Sequence, residues 1–361
     1  MRHQRPPAAA GRLLSRAGVI LGALIVLGAC TAAGAWALSS GGRTGSPPSA
    51  AAPTAPHAAT PRPSAPAPAA RQATAVTAAP RHADCSRVPH QCGYPDATNA
   101  GVLAGTTLRQ VPAQVSRGRG WHYDPRGWVE VSGNGAVLQG LTISHTIDIT
   151  ASDVTIKDVR VSLSGDNFGI DLRHTHNVTI EDSDISSPYA DSRRLMVGVK
   201  DVYGDSTGTR ILDNNIWHTA TGVQVGEGLI ENNYIHDVGY KAGDHVNGIT
   251  VNGGTVPLAI LHNTVFVNLG QTDAISLFED FGVEANKAIK DNLVAGGGYS
   301  IYGGQNSGGP AAYNIRITGN RFSRKYYRHG GQFGPLAAFR SSGRGNAWSG
   351  NTWDGSGATV S

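Results

Sequence analysis

Ile211-Leu-Asp-Asn-Asn-Ile216 is followed by Ile230-Glu-Asn-Asn-Tyr-Ile235 and then by Ile260-Leu-His-Asn-Thr-Val265. The same six-residue pattern opens at Ile180, Ile289, Ile317 and Trp348, so that successive starts lie 31, 19, 30, 29, 28 and 31 residues apart. Degenerate copies begin at Val137 and Ile156. The set marks about nine turns of one repeat, and self-similarity at this period means a solenoid, propeller or array.

The composition of the repeat decides among these. It is rich in Ile, Val, Thr, Asn, Asp and Gly and alternates apolar with polar, as in Asn177-Val-Thr-Ile-Glu-Asp-Ser-Asp-Ile185, while helical periodicity is nearly absent. A second strand recurs in each turn, at Gly169-Ile-Asp-Leu172, Gly198-Val-Lys-Asp201, Gly222-Val-Gln-Val225, Gly248-Ile-Thr-Val251, Ala274-Ile-Ser-Leu277 and Ser300-Ile-Tyr302. Short strands stacked turn upon turn give a parallel β-helix, with coils ~4.8 Å apart and a rod of roughly 43 Å. A propeller needs about four strands in some 40 to 50 residues, more than these repeats contain.

Outward from the repeats the chemistry changes. The 361 residues carry a formal charge of +4, but eight arginines and one acidic residue lie at or before Asp84. From Cys85 onward 22 basic residues face 25 acidic ones, a net charge of −3. Residues 1–38 read as an export signal or N-terminal anchor: Arg2, Arg5, Arg12 and Arg16 precede an uncharged run from Ala17 to Leu38. About 20 apolar residues can span a bilayer, so the run could be retained. Leu27-Gly28-Ala29-Cys30 resembles a lipobox and Ala35-Trp36-Ala37 a signal-peptidase site, two competing cleavage readings. Residues 39–84, rich in Ala, Pro, Ser and Thr, cannot bury enough apolar surface to offset their ordering entropy and read as a disordered linker. In an exported chain, Cys85 and Cys92 most simply form a disulfide at the start of the folded domain, 85–361.

The repeats resemble right-handed parallel β-helix proteins of the pectate-lyase-like superfamily. The region from Cys92-Gly-Tyr-Pro-Asp-Ala-Thr-Asn-Ala-Gly101 through Tyr302-Gly-Gly304 to Gly345-Asn346-Ala-Trp348 and Asp354 is similar to a secreted actinobacterial group of that type. The resemblance implies an all-β, right-handed, single-stranded parallel β-helix. It also implies that His245, Asp280 and Tyr302 recur in similar settings within that group.

Within the repeat, Asn214, Asn233, Asn263, Asn292, Asn320 and Asn351 share one register and are expected to form a structural amide ladder along the axis, with asparagine also suiting left-handed turns. Functional residues are expected on the outward face of the second strand. Strand alternation aligns Asp171, Lys200, Gln224, Thr250, Ser276 and Tyr302 there, with Arg173 nearby, as a polar strip suited to an extended polymer. The loop Asp237 to Gly248 adds Asp237, Tyr240, Lys241, Asp244, His245 and Asn247, and the next coil adds Asp273, Glu279 and Asp280. A histidine beside a carboxylate can exchange protons near neutral pH. His174 and His176 read as turn residues.

These positions define the expected site: His245, Asp244, Lys200 and Asp280 as catalytic groups, with Asp171, Arg173, Lys241, Asn247, Asp273 and Tyr302 binding substrate. A polysaccharide lyase would use a base together with Lys200, Arg173 or Ca2+ to stabilise an enolate-like state. A glycosidase would use two carboxyl groups, such as Asp244 with Asp273 or Asp280. A third reading is a non-catalytic cell-surface rod that binds polysaccharide. No cofactor is expected, and neither a metal cluster nor a calcium motif is identified. The partner expected is a polysaccharide met outside the cell by a monomer, with membrane contact only through the N-terminal segment. The net negative folded part argues against nucleic acid.

Overall fold

The computed structural model describes residues 83–361. The stretch 1–38, read from sequence as an export signal or anchor, and the stretch up to residue 82, read as a linker, lie outside the described residues.

Nine coils begin at Val137, Thr155, Thr179, Arg210, Gly228, Leu258, Ala285, Tyr313 and Ala347. Coil 5 is representative, with strands Gly228–Glu231, Tyr234–His236 and Asn247–Val251. Each strand pairs in parallel with its counterparts in neighbouring coils, as in Ile230↔Ile260, Ile235↔Val265 and Ile249↔Ile275. First and second strands, with Arg109–Val111, join in a 17-stranded sheet; eight third strands, with three strands that precede coil 1, form an 11-stranded sheet. The molecule is a parallel β-helix.

From coil 3 onward each six-residue segment is divided between two strands, whereas Val137–Ile143 and Thr155–Ser162 of coils 1 and 2 run through as one. Each bends at one residue held in the left-handed region: Gly140, Asp158, Asp182, Asp213, Asn232, His262, Asp291, Gly319 and Gly350, with φ between 50 and 69°. Glycine enters this conformation freely, and Asp, Asn and His are the side chains that tolerate it best. The bend falls one position before the ladder asparagine, which corrects the expectation that the asparagine itself makes the turn. Freed from that duty, the asparagine amides point along the axis. Asn214 donates to Asn233 Oδ1 at 2.9 Å, and the chain continues through Asn263, Asn292 and Asn320 to Asn351 at 2.9 to 3.1 Å.

Three apolar stacks fill the interior. Ile180, Ile211, Ile230, Ile260, Ile289 and Ile317 come from first strands; Ile185, Ile216, Ile235, Val265, Val294 and Phe322 from second strands; and Ile170, Val199, Val223, Ile249, Ile275 and Ile301 from third strands, all fully buried. β-Branched side chains suit such stacking on a pleated surface. The open ends are covered, as a solenoid requires. Antiparallel strands Trp121–Asp124 and Trp128–Val131 cap coil 1. At the other end the chain folds back so that Val360 is buried and its carbonyl accepts from Trp348 Nε1 at 3.0 Å.

Before the first coil, the chain runs the length of the rod as a strap. Asp354, in coil 9, accepts from the backbone N–H groups of Cys85 and Ser86 at 3.0 and 2.9 Å. The Cys85–Cys92 disulfide forms as expected. Tyr94 stacks on His262 of coil 6, Gly101 N–H donates to Asp213 O of coil 4 at 2.7 Å, and Val102 N–H donates to Asp184 of coil 3. A β-carbon at Gly101 would lie 2.4 Å from Asp184 Oδ1, so only glycine permits this approach. The strap ends where Arg109–Val111 pairs with Leu141–Ile143 of coil 1.

Candidate active site

The expected outward strip exists in register. Asp171 pairs with Lys200, Lys200 with Gln224, Gln224 with Thr250, Thr250 with Ser276 and Ser276 with Tyr302. It extends backward through Asp148, which pairs with Asp171, to Glu130 and His122 on the cap. A second outward row runs through Thr221, Asn247, Asp273 and Tyr299. Strand alternation alone does not place it, because Gly222 and Gly248 before the core isoleucine or valine also face inward: a β-carbon on Gly248 would meet Val265 at 2.3 Å.

Two open depressions lie end to end over these rows. The first, about 650 Å³, is bounded by Lys200, Tyr203 and Phe281. The second, about 620 Å³, is lined by His245, Asn247, Thr272, Phe278, Asp280 and Tyr302. Gln224, Thr250 and Asn252 belong to both, so they form one groove crossing coils 3 to 7. At ~4.8 Å per coil its floor is roughly 19 Å long, suited to an extended oligomer.

His245 and Asp280 are both exposed, from loops of adjacent coils. Burial holds the half-buried Tyr302 phenol above its ordinary pKa, so it enters chemistry as a proton donor. Asp273 lies in the second row next to Asn247 and Tyr299, is 0% exposed, and has no hydrogen-bond donor for either carboxyl oxygen among the described residues. Burial raises its pKa well above the carboxylate range, with the nearby Ser276 hydroxyl opposing only in part. That hydroxyl is committed to Thr250 at 2.9 Å. The carboxyl is therefore biased toward its neutral form.

Other expected site residues have structural partners. Asp244 forms a two-pronged pair with the buried Arg194, whose Nε donates at 2.8 Å, and also accepts from Lys241 N–H. Lys241 reaches Asp166 at 2.5 Å. Arg173 bridges Asp148 at 2.5 Å and Asp171 at 2.9 Å, so its charge is compensated twice. Asp171 is raised to about 6 by burial and by Asp148, against the pull of Arg173. Lys200 donates to Gln224 at 2.6 Å, and burial lowers its pKa. Arg173 and Lys200 thus do not combine into a free cationic patch.

Several contributors escape sequence reasoning. Phe281, 86% exposed, stands on the groove wall in a loop held by Phe278 N–H to Val251 O at 2.7 Å and Phe281 N–H to Asn252 O at 2.9 Å. That wall rests on a buried pair, Glu284 and Lys287, 3.7 Å apart: Glu284 accepts from Gly253 N–H, and Lys287 donates to Gly226 and Val256 carbonyls. Burial raises Glu284 and lowers Lys287. Phe333 extends the aromatic surface formed by Tyr299 and Tyr302. The exposed aromatics were the available signal. Nothing local distinguishes Glu284 and Lys287 from surface charges.

Outside the groove, His122, Asp124 and Glu130 bring potential ligand atoms within 4.8 Å of one another. Asp124 is already held by Arg126 through both its oxygens, which weakens this group as a cation site.

No family model, curated protein or solved structure matches the chain. The functional reading therefore rests on the residues of the groove.

Proposed function

We propose that this is an extracellular carbohydrate-active β-helix protein that holds a glycan along the groove and hydrolyses its glycosidic bonds. The observation carrying the reading is the convergence of His245, Asp280 and Tyr302 on one depression, beside the neutral-biased Asp273. Hydrolysis adds water across the C–O bond: His245 gives a proton to the departing oxygen while Asp280 takes one from the attacking water. Elimination from a uronate needs a cation to stabilise the enolate-like state. Arg173 is bound to two aspartates, and Lys200 lies in the neighbouring depression. Hydrolysis is therefore preferred. The extracellular assignment rests on the export segment, the linker and the resemblance to secreted β-helix proteins.

A binding rod without catalysis is the second reading, favoured by exposed rings such as Phe281 and Phe333, on which sugars could stack. Incubation of the full-length protein with plant, microbial and capsular glycans separates the two. New reducing ends without the ultraviolet absorbance of an unsaturated product indicate hydrolysis; that absorbance indicates elimination; retention without cleavage indicates a binder. His245→Ala should remain folded and lose turnover, and wild-type turnover in this variant would refute the assigned role.

A further inference from the structure

We infer that the groove selects a glycan carrying free amines, a polymer or oligomer of unacetylated amino sugars. This rests on the proposed reading of the groove as a glycan site and specifies its substrate class.

The first observation is the charge of the groove lining. Among the described residues that line the depression of His245, Asn247 and Tyr302, Asp280 is the one Asp, Glu, Lys or Arg, and it is exposed. In the neighbouring depression Lys200 is set against Asp201, and its amine is committed to Gln224 at 2.6 Å. A site whose formal charge is negative concentrates ligands of the opposite sign.

The second observation is a surplus of hydrogen-bond acceptors. Asn247 is 6% exposed and lines the depression; its Nδ2 donates to Thr221 Oγ1 and His245 O, which orients the amide and leaves Oδ1 without a donor. Asp280 adds an exposed carboxylate at the same depression. Buried acceptors without donors are costly unless a ligand supplies them. An ammonium supplies three N–H donors and accepts nothing. The aromatic faces of Phe278, Phe281 and Tyr302 at the same groove attract cations as well.

Binding of fluorescent glucosamine and galactosamine oligomers to the full-length protein tests the inference against their N-acetylated counterparts and galacturonate oligomers. The amines should bind at least about tenfold more tightly than the acetylated forms, with affinity falling as salt rises. Asp280→Asn should reduce amine affinity about fivefold or more and change acetyl-sugar affinity little, and Asp280→Lys should reduce amine affinity further. Equal or tighter binding of acetylated or uronate oligomers overturns amine selectivity while leaving the glycan reading intact. If no oligomer binds, both fall.

Discussion

Two edges of the same coils treat polar side chains in opposite ways. At the corner between first and second strands every ladder asparagine has its amide satisfied: Asn263 accepts from Asn233 N–H and Nδ2 and donates to Ile230 O, Leu261 O and Asn292 Oδ1, all within 3.0 Å. On the third-strand face Asn247 Oδ1, Asp171 Oδ1 and both Asp273 oxygens have no donor. Both sets recur coil by coil in the same parallel stack. The ladder repeats one residue type in six successive coils, so each amide finds an identical partner one step away. The strip changes from Asp to Lys, Gln, Thr, Ser and Tyr, so its groups cannot all pair with one another. A uniform column closes on itself, and a varied one keeps binding capacity.

The comparison can be broken most severely at the ladder. Asn263→Ala removes five hydrogen bonds and strands buried partners above and below, with an expected loss of about 3–5 kcal/mol in denaturant unfolding. Asn252→Ala, an amide-to-methyl change on the groove wall, should cost less than about 1 kcal/mol. Similar losses would erase the distinction between the two edges. Next in size, His245→Ala should lower turnover by on the order of 10²-fold with an unchanged unfolding midpoint, measured by parallel activity and melting assays.

Asp273 tests whether the groove retains a stability cost. Its folded pKa is raised, so the folded state holds its proton after the unfolded chain has lost it. Its contribution therefore falls as pH rises above the ordinary carboxylate value of about 4 and is regained on acidification. Asp273→Asn should be more stable than the parent at pH 7, by at least about 1 kcal/mol, with the difference vanishing below about pH 4. A variant less stable at pH 7 would mean that the carboxylate is favourably paired. The smallest effect is expected at Phe281→Ala: stability within about 0.5 kcal/mol of the parent, and glycan affinity down about fivefold.

Much of this was legible because a parallel β-helix makes distant contacts periodic. Once Ile211, Ile230 and Ile260 are aligned in sequence they are aligned in space, and the polar strip follows from Val199, Val223 and Ile249 facing the core. Periodicity also identified the asparagine column. It did not reveal the left-handed residue one position earlier, because Asp213, Asn232 and His262 have little in common beyond tolerating positive φ. Nor could it reveal contacts outside the repeat. Arg194 and Asp244 are 50 residues apart and meet through loops of unequal length. The strap joins Cys85 to Asp354 across 269 residues.

The sequence by itself determined the coil, its number of turns, the inward stacks and which side chains share the outward column, because all four depend on a local repeat and on strand alternation. Only the tertiary structure decided which outward groups are available. It bound Asp244 to Arg194 and Arg173 to two aspartates, buried Asp273 without a donor, and left His245 and Asp280 exposed in one depression with Tyr302. Pairing and burial depend on how loops fold over the coils, and those loops obey no period.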